Sequence, residues 1–170
     1  MKPMEVVEAY LVLHNSHDLD GVMDLYSSAI EFELAGVWVK TGKSAIQELE
    51  EFDAVTGSQL SFEQFQVDDN QVSCHGTERN EWVRLAGLGE IKYQRCAFTV
   101  DGEKIVRAYA QYEAESVQAI TAALQTIAEW AEVHRPGALE KLMPGGEFRY
   151  GTLAARAWLS LLEDWNRSAG

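Results

Sequence analysis

The fold is decided by residues 98–106, which read FTVDGEKIV. β-Branched and aromatic residues flank Asp101-Gly102, a dipeptide that favours a tight turn between two antiparallel strands. We therefore predict a hairpin of two strands, at residues 90–100 and 103–112.

The chain before this hairpin is predicted to contain helices first and strands afterwards. Helical spacing of apolar residues predicts helices, and alternation predicts strands. The expected helices cover residues 5–14, about 18–26 and 44–52, with Asp18 or Asp20 and then Ser44 as caps, and the expected strands cover residues 29–34, 60–67 and 72–85. Helices followed by an antiparallel meander indicate an α+β architecture.

The chain after residue 115 is predicted to be helical again. One apolar stripe consists of Ile120, Leu124, Ile127 and Ala131, and a second consists of Leu153, Ala157, Leu161 and Trp165. We expect a domain at residues 1–116 and a helical extension at residues 117–170, packed on that domain or on a partner subunit.

Composition and charge exclude several classes of function. The 170 residues are 46% hydrophobic, which is ordinary for a globular protein, and the formal net charge is −13. An acidic surface repels phosphate groups, so we expect neither nucleic acid nor an anionic membrane as a partner. Without a signal peptide or a spanning segment, and with Cys74 and Cys96 outside any zinc or redox motif, cytoplasm is the expected location. Two structural thiols are favoured over a disulfide.

Three segments resemble a known superfamily. They are residues 18–26 (DLDGVMDLY), 41–46 (TGKSAI) and 98–106, and together they resemble the SnoaL-like branch of the nuclear transport factor 2-like superfamily over residues 4–116. The resemblance implies an α+β fold in which a cone-shaped, curved antiparallel sheet wraps around N-terminal helices. Such cones admit small, often apolar molecules in ketosteroid isomerases, polyketide cyclases, limonene-epoxide hydrolases and dehydratases.

The resemblance also places some catalytic residues and leaves others out. Tyr10 falls where ketosteroid isomerases carry an oxyanion-stabilising tyrosine, but their two acids fall at Leu34 and Gln94, and an apolar side chain cannot take a proton. Arg79-Asn80-Glu81 resembles the Arg-x-Asp of the epoxide hydrolases, whose third pocket acid falls at Ala110. Neither catalytic set is complete.

Strand alternation and helical spacing indicate which side chains share a face. Alternation puts His75, Arg79 and Glu81 on one face, which by the resemblance lines the cone. Glu81 is then a candidate base and Arg79 its orienting partner or an anion clamp; a structural ion pair or a solvated face is the alternative. His14 lies one helical turn after Tyr10, and the pair could polarise a carbonyl, with a packed histidine as the alternative.

The sequence thus predicts a small-molecule site without a metal or cofactor, since His14, His17 and His75 match no ligand spacing and no nucleotide motif is present. The candidate catalytic residues are Tyr10, His14, Arg79 and Glu81, and the candidate binding residues are Phe32, Leu34, Trp38, His75, Gln94 and Tyr112. The expected ligand is small and apolar or carbonyl-bearing.

Three functions remain open at this point. They are a cofactor-independent isomerase, cyclase or hydrolase, a non-catalytic binding module, and a dimeric scaffold. By the resemblance, the outer sheet face forms a homodimer, with Trp82 as a contact; shielding of the sheet by the tail is the alternative.

Overall fold

The computed structural model describes residues 1–169, which form an α+β fold as expected. The helices are α1 (Pro3–Asn15), α2 (Leu19–Leu25), α3 (Lys43–Thr56), α4 (Glu81–Leu85), α5 (Ala114–His134), α6 (Ala138–Leu142) and α7 (Thr152–Ala169), with a 3₁₀ turn at Pro144–Gly146. The strands are β1 (Tyr26–Leu34), β2 (Trp38–Thr41), β3 (Gln59–Asp68), β4 (Gln71–Arg79), β5 (Ile91–Asp101) and β6 (Lys104–Tyr112).

The six strands form one curved sheet in the order β2-β1-β6-β5-β4-β3. The β5–β6 hairpin closes at Asp101-Gly102 as predicted, with Asp101 opposite Lys104. Neighbouring strands are antiparallel except β1 and β6, which run parallel. A bulge between Glu63 and Gln66, with Gln64 at a φ of 57°, bends β3.

Helices α1, α2 and α3 lie against the concave face of the sheet and enclose a volume that we call the cone. Asp18 caps α2 by accepting a hydrogen bond from the Gly21 amide at 2.9 Å. Helix α3 ends at Gly57, whose left-handed backbone (φ of 68°) suits a residue without a Cβ. Apolar side chains from α1–α3 and from β1, β4, β5 and β6 bury each other in the first core; Val6, Val7, Tyr26, Ile30, Ile46 and Ile105 are fully buried there.

The C-terminal helices form a second core together with α3 and α4. Trp158, Leu161 and Leu162 of α7 pack with Trp82 of α4 and Phe52 of α3. Within residues 1–169, the extension therefore packs against α3 and α4 of the same chain.

Three details of the predicted elements are wrong. The expected strand 72–85 ends at Arg79, because the Asn80 side chain caps α4 by accepting from the Val83 amide at 2.7 Å. Helix α3 begins after Gly42, so Ser44 is not its cap. The predicted α7 stripe began at Leu153, which is 81% exposed, and the buried face consists of Ala155, Trp158, Leu161 and Leu162. The stripe was predicted with an exact four-residue spacing, which drifts off one face of a helix with 3.6 residues per turn.

Cys74 and Cys96 are opposite each other on β4 and β5, and both are buried free thiols. Within residues 1–169, every helix is too short or too polar to cross a bilayer.

Candidate functional site

The inner face of β4 carries a carboxylate into the cone. Val72, Cys74, Gly76 and Glu78 are buried, whereas His75 and Arg79 are exposed. Gly76 leaves room for its neighbours, because a Cβ there would lie 3.1 Å from the Cys96 sulfur. An inward position of β4 is therefore occupied by a charged residue, Glu78.

A histidine and a second carboxylate meet opposite Glu78. His14, near the end of α1, is 3% exposed, and Glu50 of α3 is 6% exposed. His14 Nδ1 lies 2.9 Å from Glu50 Oε2, and the Tyr26 hydroxyl donates to Glu50 Oε1 at 2.9 Å. Two partners thus satisfy the Glu50 carboxylate away from water.

Ser58 connects this pair to Glu78. The Ser58 hydroxyl donates to Glu78 Oε2 at 3.0 Å and lies 3.0 Å from His14 Nε2. Because the hydroxyl proton is already given to Glu78, Ser58 can only accept from His14. Both ring nitrogens of His14 then carry protons, and the geometry is that of an imidazolium held between Glu50 and Ser58.

Glu78 is held by further donors. The Tyr93 hydroxyl donates to Glu78 Oε1 at 2.6 Å, and the side-chain Nδ2 of Asn80 donates to Glu78 Oε2 at 2.8 Å. Together with Ser58 these donors fix the orientation of the carboxylate, as a set of short bonds to a charged acceptor does. We call His14, Glu50, Asp53, Ser58 and Glu78 the polar cluster.

Asp53, one turn after Glu50 on α3, completes the polar cluster. Ligand atoms of His14, Glu50 and Asp53 all lie within 4.8 Å of one another. Burial raises the pKa of Asp53 well above its ordinary value, the charges of Glu78 and Glu50 raise it further, and the charge of His14 lowers it. Asp53 therefore holds a proton more tightly than an ordinary aspartate does.

The pKa of His14 is also perturbed. Burial alone lowers it, but the hydrogen bond to Glu50 and the charges of Asp53, Glu50 and Glu78 outweigh burial and raise the pKa to about 9. His14 is thus charged at neutral pH, in agreement with its hydrogen-bond geometry.

The space beside the polar cluster is small. A cavity of about 10 Å³ is lined by His14, His17, Glu50 and Asp53 together with α2 residues. It has room for one water molecule. A metal ion held by His14, Glu50 and Asp53 would have to break the bond from His14 to Glu50 or to Ser58, so the arrangement fits an ion pair better than a metal centre.

Six of the predicted site residues are buried or half-buried. Tyr10 is 4% exposed, and its ring centroid is 5.6 Å from that of His14, so this pair shares a direction as expected. Of the remaining four, Phe32 and Trp38 pack against the first core, Tyr112 packs against the second core, and Leu34 is buried. Tyr112 stacks on Tyr93 with centroids 5.1 Å apart. Their roles stay predictions.

The other predicted residues lie outside the cone, because the expected strand parity is the reverse of the observed one. Arg79 is exposed and pairs with Glu90 at 2.9 Å. Glu81 is in α4 and pairs with Arg84, so no Arg79–Glu81 pair forms. His75 and Gln94 line a groove of about 310 Å³ that also includes Gln66, Arg95 and Gln111 of the outer sheet face.

Trp82 is likewise not on the outer face of the sheet. It is a buried residue of α4, 5.7 Å from the Trp158 ring centroid. The strand predicted through residue 85 was the source of this error, since it gave Trp82 a place in the sheet.

Sequence reasoning missed Glu50, Asp53, Ser58, Glu78 and Tyr93. A signal for three of them is nevertheless present. Ile46, Leu49, Glu50 and Asp53 follow the i, i+3, i+4, i+7 spacing of one helix face, and Glu78 continues the alternation of Val72, Cys74 and Gly76. A carboxylate on an apolar face points to a buried charge, which is rare without a partner or a function.

No protein-family model and no curated protein matches the chain. Among solved structures, the chain is similar to SalBIII, an epoxide hydrolase/cyclase-like enzyme of pyran ring formation in the polyether salinomycin. The two share 16% identity over 67% of this chain and 92% of that chain, with a TM-score of 0.60.

Two further solved structures have related names. A Mycobacterium tuberculosis epoxide hydrolase of the limonene-epoxide hydrolase type shares 16% identity over 74% of this chain and 94% of that chain, with a TM-score of 0.59. A ketosteroid isomerase assigned in Kribbella flavida shares 12% identity over 65% of this chain and 77% of that chain, with a TM-score of 0.55.

These likenesses show the fold. The chain has the nuclear transport factor 2-like fold, and the resemblance stated from the sequence is confirmed at that level.

Proposed function

We propose that the chain binds a small, largely apolar, carbonyl-bearing molecule in the cone and isomerises or cyclises it by moving a proton. Because the cavity beside the polar cluster is only about 10 Å³, binding requires the surrounding side chains to move apart. The observation that carries this proposal is the position of Asp53, a carboxyl group with a strongly raised pKa, beside the buried His14–Glu50 pair.

The polar cluster is costly for stability, which supports a functional role. Glu50 and Glu78 are buried; His14 bonds to Glu50, and within residues 1–169 no cationic side chain bonds to Glu78. Burying carboxylates costs several kcal/mol each unless they are well paired. Apolar residues at Glu50 and Asp53 would continue the face formed by Ile46 and Leu49 at no such cost.

The raised pKa of Asp53 suits a proton-transfer step. A general base is most effective when its pKa lies near the working pH, and burial with neighbouring charges is how proteins raise a carboxyl group to that range. Asp53 would take a proton from a carbon next to the carbonyl and return it at another carbon. One C–H bond breaks and one forms, so no further reactant is required.

Tyr10 supplies a group to polarise the carbonyl. Burial, followed by the charges of Glu50 and Asp53, raises the pKa of Tyr10, so its hydroxyl keeps its proton at neutral pH. A neutral hydroxyl in an apolar setting donates a hydrogen bond to an oxygen that gains negative charge. Phe32, Leu34 and Tyr112 complete an apolar wall for the rest of the molecule.

The names of the similar structures agree with this class of ligand. They include an epoxide hydrolase/cyclase-like enzyme and a ketosteroid isomerase, together with TerC crystallised with polyporic acid and a mycobacterial protein in complex with estradiol-17beta-hemisuccinate. Because identity is 18% or less for all of these, they support the chemistry only as a proposal.

Proton exchange on simple ketones tests the proposal. Wild-type protein is incubated in D₂O with 3-cyclohexenone or 1-indanone, and deuterium uptake next to the carbonyl is followed by NMR. We expect uptake above the buffer rate for wild type, with a loss of about a hundredfold or more in Asp53→Asn, as for removal of a general base.

Glu48→Gln is the matched control, because it removes one carboxylate from an exposed position of the same helix. It should leave the exchange rate unchanged. Equal rates in wild type and Asp53→Asn would remove Asp53 from the mechanism, and uptake at the buffer rate by wild type on both ketones would refute proton transfer on such carbonyl compounds.

A dimeric scaffold is the second candidate, and the groove of about 310 Å³ on the outer sheet face favours it. Two copies of a face that carries Gln66, His75, Arg95 and Gln111 could exchange hydrogen bonds across a two-fold axis. Sedimentation velocity over a range of protein concentrations tests this. A single monomeric species at all concentrations would exclude the homodimer.

A further inference from the structure

Two cysteines face each other across neighbouring interior strands of the sheet. Cys74 of β4 and Cys96 of β5 are direct register partners, and both thiols are free. Directly opposite residues of antiparallel strands have Cα atoms about 4.5–5.5 Å apart, which lies within the range of about 4.4–6.8 Å found across disulfides. The backbone therefore already holds the two cysteines at the separation that a cross-link requires.

The neighbours of Cys96 are small. Gly76 lies two residues after Cys74 on β4, and a Cβ there would be 3.1 Å from the Cys96 sulfur. On the other side of β5, the register partner of Cys96 is Ala110 of β6. Closing a disulfide requires a rotation of each Cys side chain into a suitable rotamer, and these small neighbours leave space for that rotation at Cys96.

The two thiols interact, and they differ in acidity. The hydrogen bond from Cys96 lowers the pKa of Cys74, burial opposes this effect, and the charge of Arg95 lowers the pKa further. The same hydrogen bond, burial and the charges of Cys74 and Glu78 raise the pKa of Cys96. Because the thiolate is the nucleophilic form, Cys74 is the sulfur suited to attack an oxidant, and Cys96 is the sulfur suited to complete a disulfide.

Cys74 can be reached from the outer face of the sheet by a very small molecule. It is one of the residues that line the groove of about 310 Å³, together with Arg95. Its exposed fraction is only 3%, and it also packs in the first core. A reagent that reaches its sulfur must therefore be polar enough for the groove and close to water in size, which describes hydrogen peroxide.

We propose that Cys74 and Cys96 form a site of reversible oxidation, at which a small hydroperoxide such as hydrogen peroxide converts the two thiols into a cross-strand disulfide. Neither thiol belongs to the polar cluster, so this oxidation goes beyond the proposed function and does not depend on it.

The reaction balances with hydrogen peroxide as the only oxidant. The Cys74 thiolate attacks one peroxide oxygen, so that an S–O bond forms, the O–O bond breaks, and the leaving hydroxide takes up the proton that Cys74 gave up. Cys74 is then a sulfenic acid. The Cys96 thiol attacks the Cys74 sulfur, so that the S–S bond forms, the S–O bond breaks, and the Cys96 proton leaves with the hydroxyl group as water. Two thiols are oxidised to one disulfide, and one peroxide is reduced to two waters.

Mass spectrometry of folded wild-type protein tests this oxidation. After treatment with hydrogen peroxide, the intact chain should lose the mass of two hydrogen atoms, a peptide pair joined through Cys74 and Cys96 should appear, and dithiothreitol should restore both thiols. The chain unfolded in urea is the reference for fully exposed thiols. Folded protein that keeps both thiols under conditions that oxidise the unfolded chain, or that accumulates sulfinic acid without the cross-link, would overturn the proposal.

Single variants separate the roles of the two sulfurs. In Cys96→Ala the second sulfur is missing, so hydrogen peroxide should leave Cys74 as a sulfenic acid, which dimedone traps. Cys74→Ala should give at least about tenfold less trapped product, because burial and the charge of Glu78 still disfavour the Cys96 thiolate. Equal trapping in the two variants would contradict the assigned order of attack.

A pair of arginine variants tests the approach through the groove. Arg95→Gln removes the positive charge that favours the Cys74 thiolate and should slow disulfide formation by about fivefold. Arg107→Gln is the matched control, since it removes an exposed arginine of β6 that pairs with Glu31, and it should leave the rate unchanged. Equal rates for both variants would contradict the attack on Cys74 beside Arg95.

Discussion

Replacement of His14 by glutamine should remove a pH-dependent part of the stability. The ordinary histidine pKa of 6.5 describes the unfolded chain, and in the folded chain the pKa of His14 is about 9. The difference corresponds to roughly 3 kcal/mol of stabilisation of the charged form by the fold. Since His14 is 3% exposed, solvent screening does little to reduce it.

The direction of the pKa change determines whether stability rises or falls with pH. Because the folded pKa is the higher one, the folded chain binds the proton more tightly. The stabilisation is fully present below pH 6.5 and is lost as the pH rises through about 9. The folded pKa of Asp53 is also raised, so this residue too makes the free energy of unfolding fall as the pH rises, starting at a lower pH.

Urea unfolding at pH 6, 8 and 10 measures this effect. The free energy of unfolding of wild type should fall by about 3 kcal/mol relative to that of His14→Gln between pH 6 and pH 10. His75→Gln, at an exposed position of β4, should follow the wild-type curve. If His14→Gln does not fold, the imidazole resonances of wild type still report the pKa by NMR.

Either of two results would refute this reasoning. One is a constant difference in free energy between wild type and His14→Gln from pH 6 to pH 10. The other is an NMR pKa for His14 at or below 6.5, which would show that burial outweighs Glu50 and the other carboxylates.

Three further predictions concern packing. Trp158→Ala should lower the free energy of unfolding by about 3–5 kcal/mol in urea, whereas the exposed Leu153→Ala should change it little; equal effects would contradict the assigned α7 face. Gly21→Ala should cost about 1–3 kcal/mol in thermal unfolding, because its Cβ would lie 2.7 Å from Asp18 Oδ2, and an unchanged Tm would contradict this. Truncation after residue 116 exposes Trp82 and should abolish cooperative unfolding; a cooperative transition would support an independent domain at residues 1–116.

The fold could be predicted from the sequence because its signals are local. The Asp101-Gly102 turn and the Asp18 cap depend on neighbouring residues, and each appears in the structure as expected. The resemblance over residues 4–116 then supplied the curvature of the sheet, which local patterns do not determine.

The candidate site was predicted less well because it depends on parity and on contacts across the chain. The face of β4 that carries His75 and Arg79 was predicted to point into the cone, whereas the buried face is the one that carries Cys74 and Gly76. The predicted strand also continued beyond Asn80, although asparagine is a common N-cap and here begins helix α4.

The partners of Glu78 could not be found from sequence at all. Ser58 and Tyr93 come from a loop and from β5, and their bonds to Glu78 depend on how the sheet bends. The same holds for Tyr150, whose hydroxyl accepts a hydrogen bond at 3.1 Å from Trp38 Nε1, 112 residues earlier in the chain.

That separation affects the order in which the protein can form. Synthesis proceeds from the N-terminus, so β1 and β2, with Trp38, exist long before Tyr150 is made. The Trp38 ring of the nascent chain therefore lacks its Tyr150 contact until almost all of the chain has been synthesised. A full-length chain that refolds from denaturant has Tyr150 available from the start, and it need not reach the folded state by the same route.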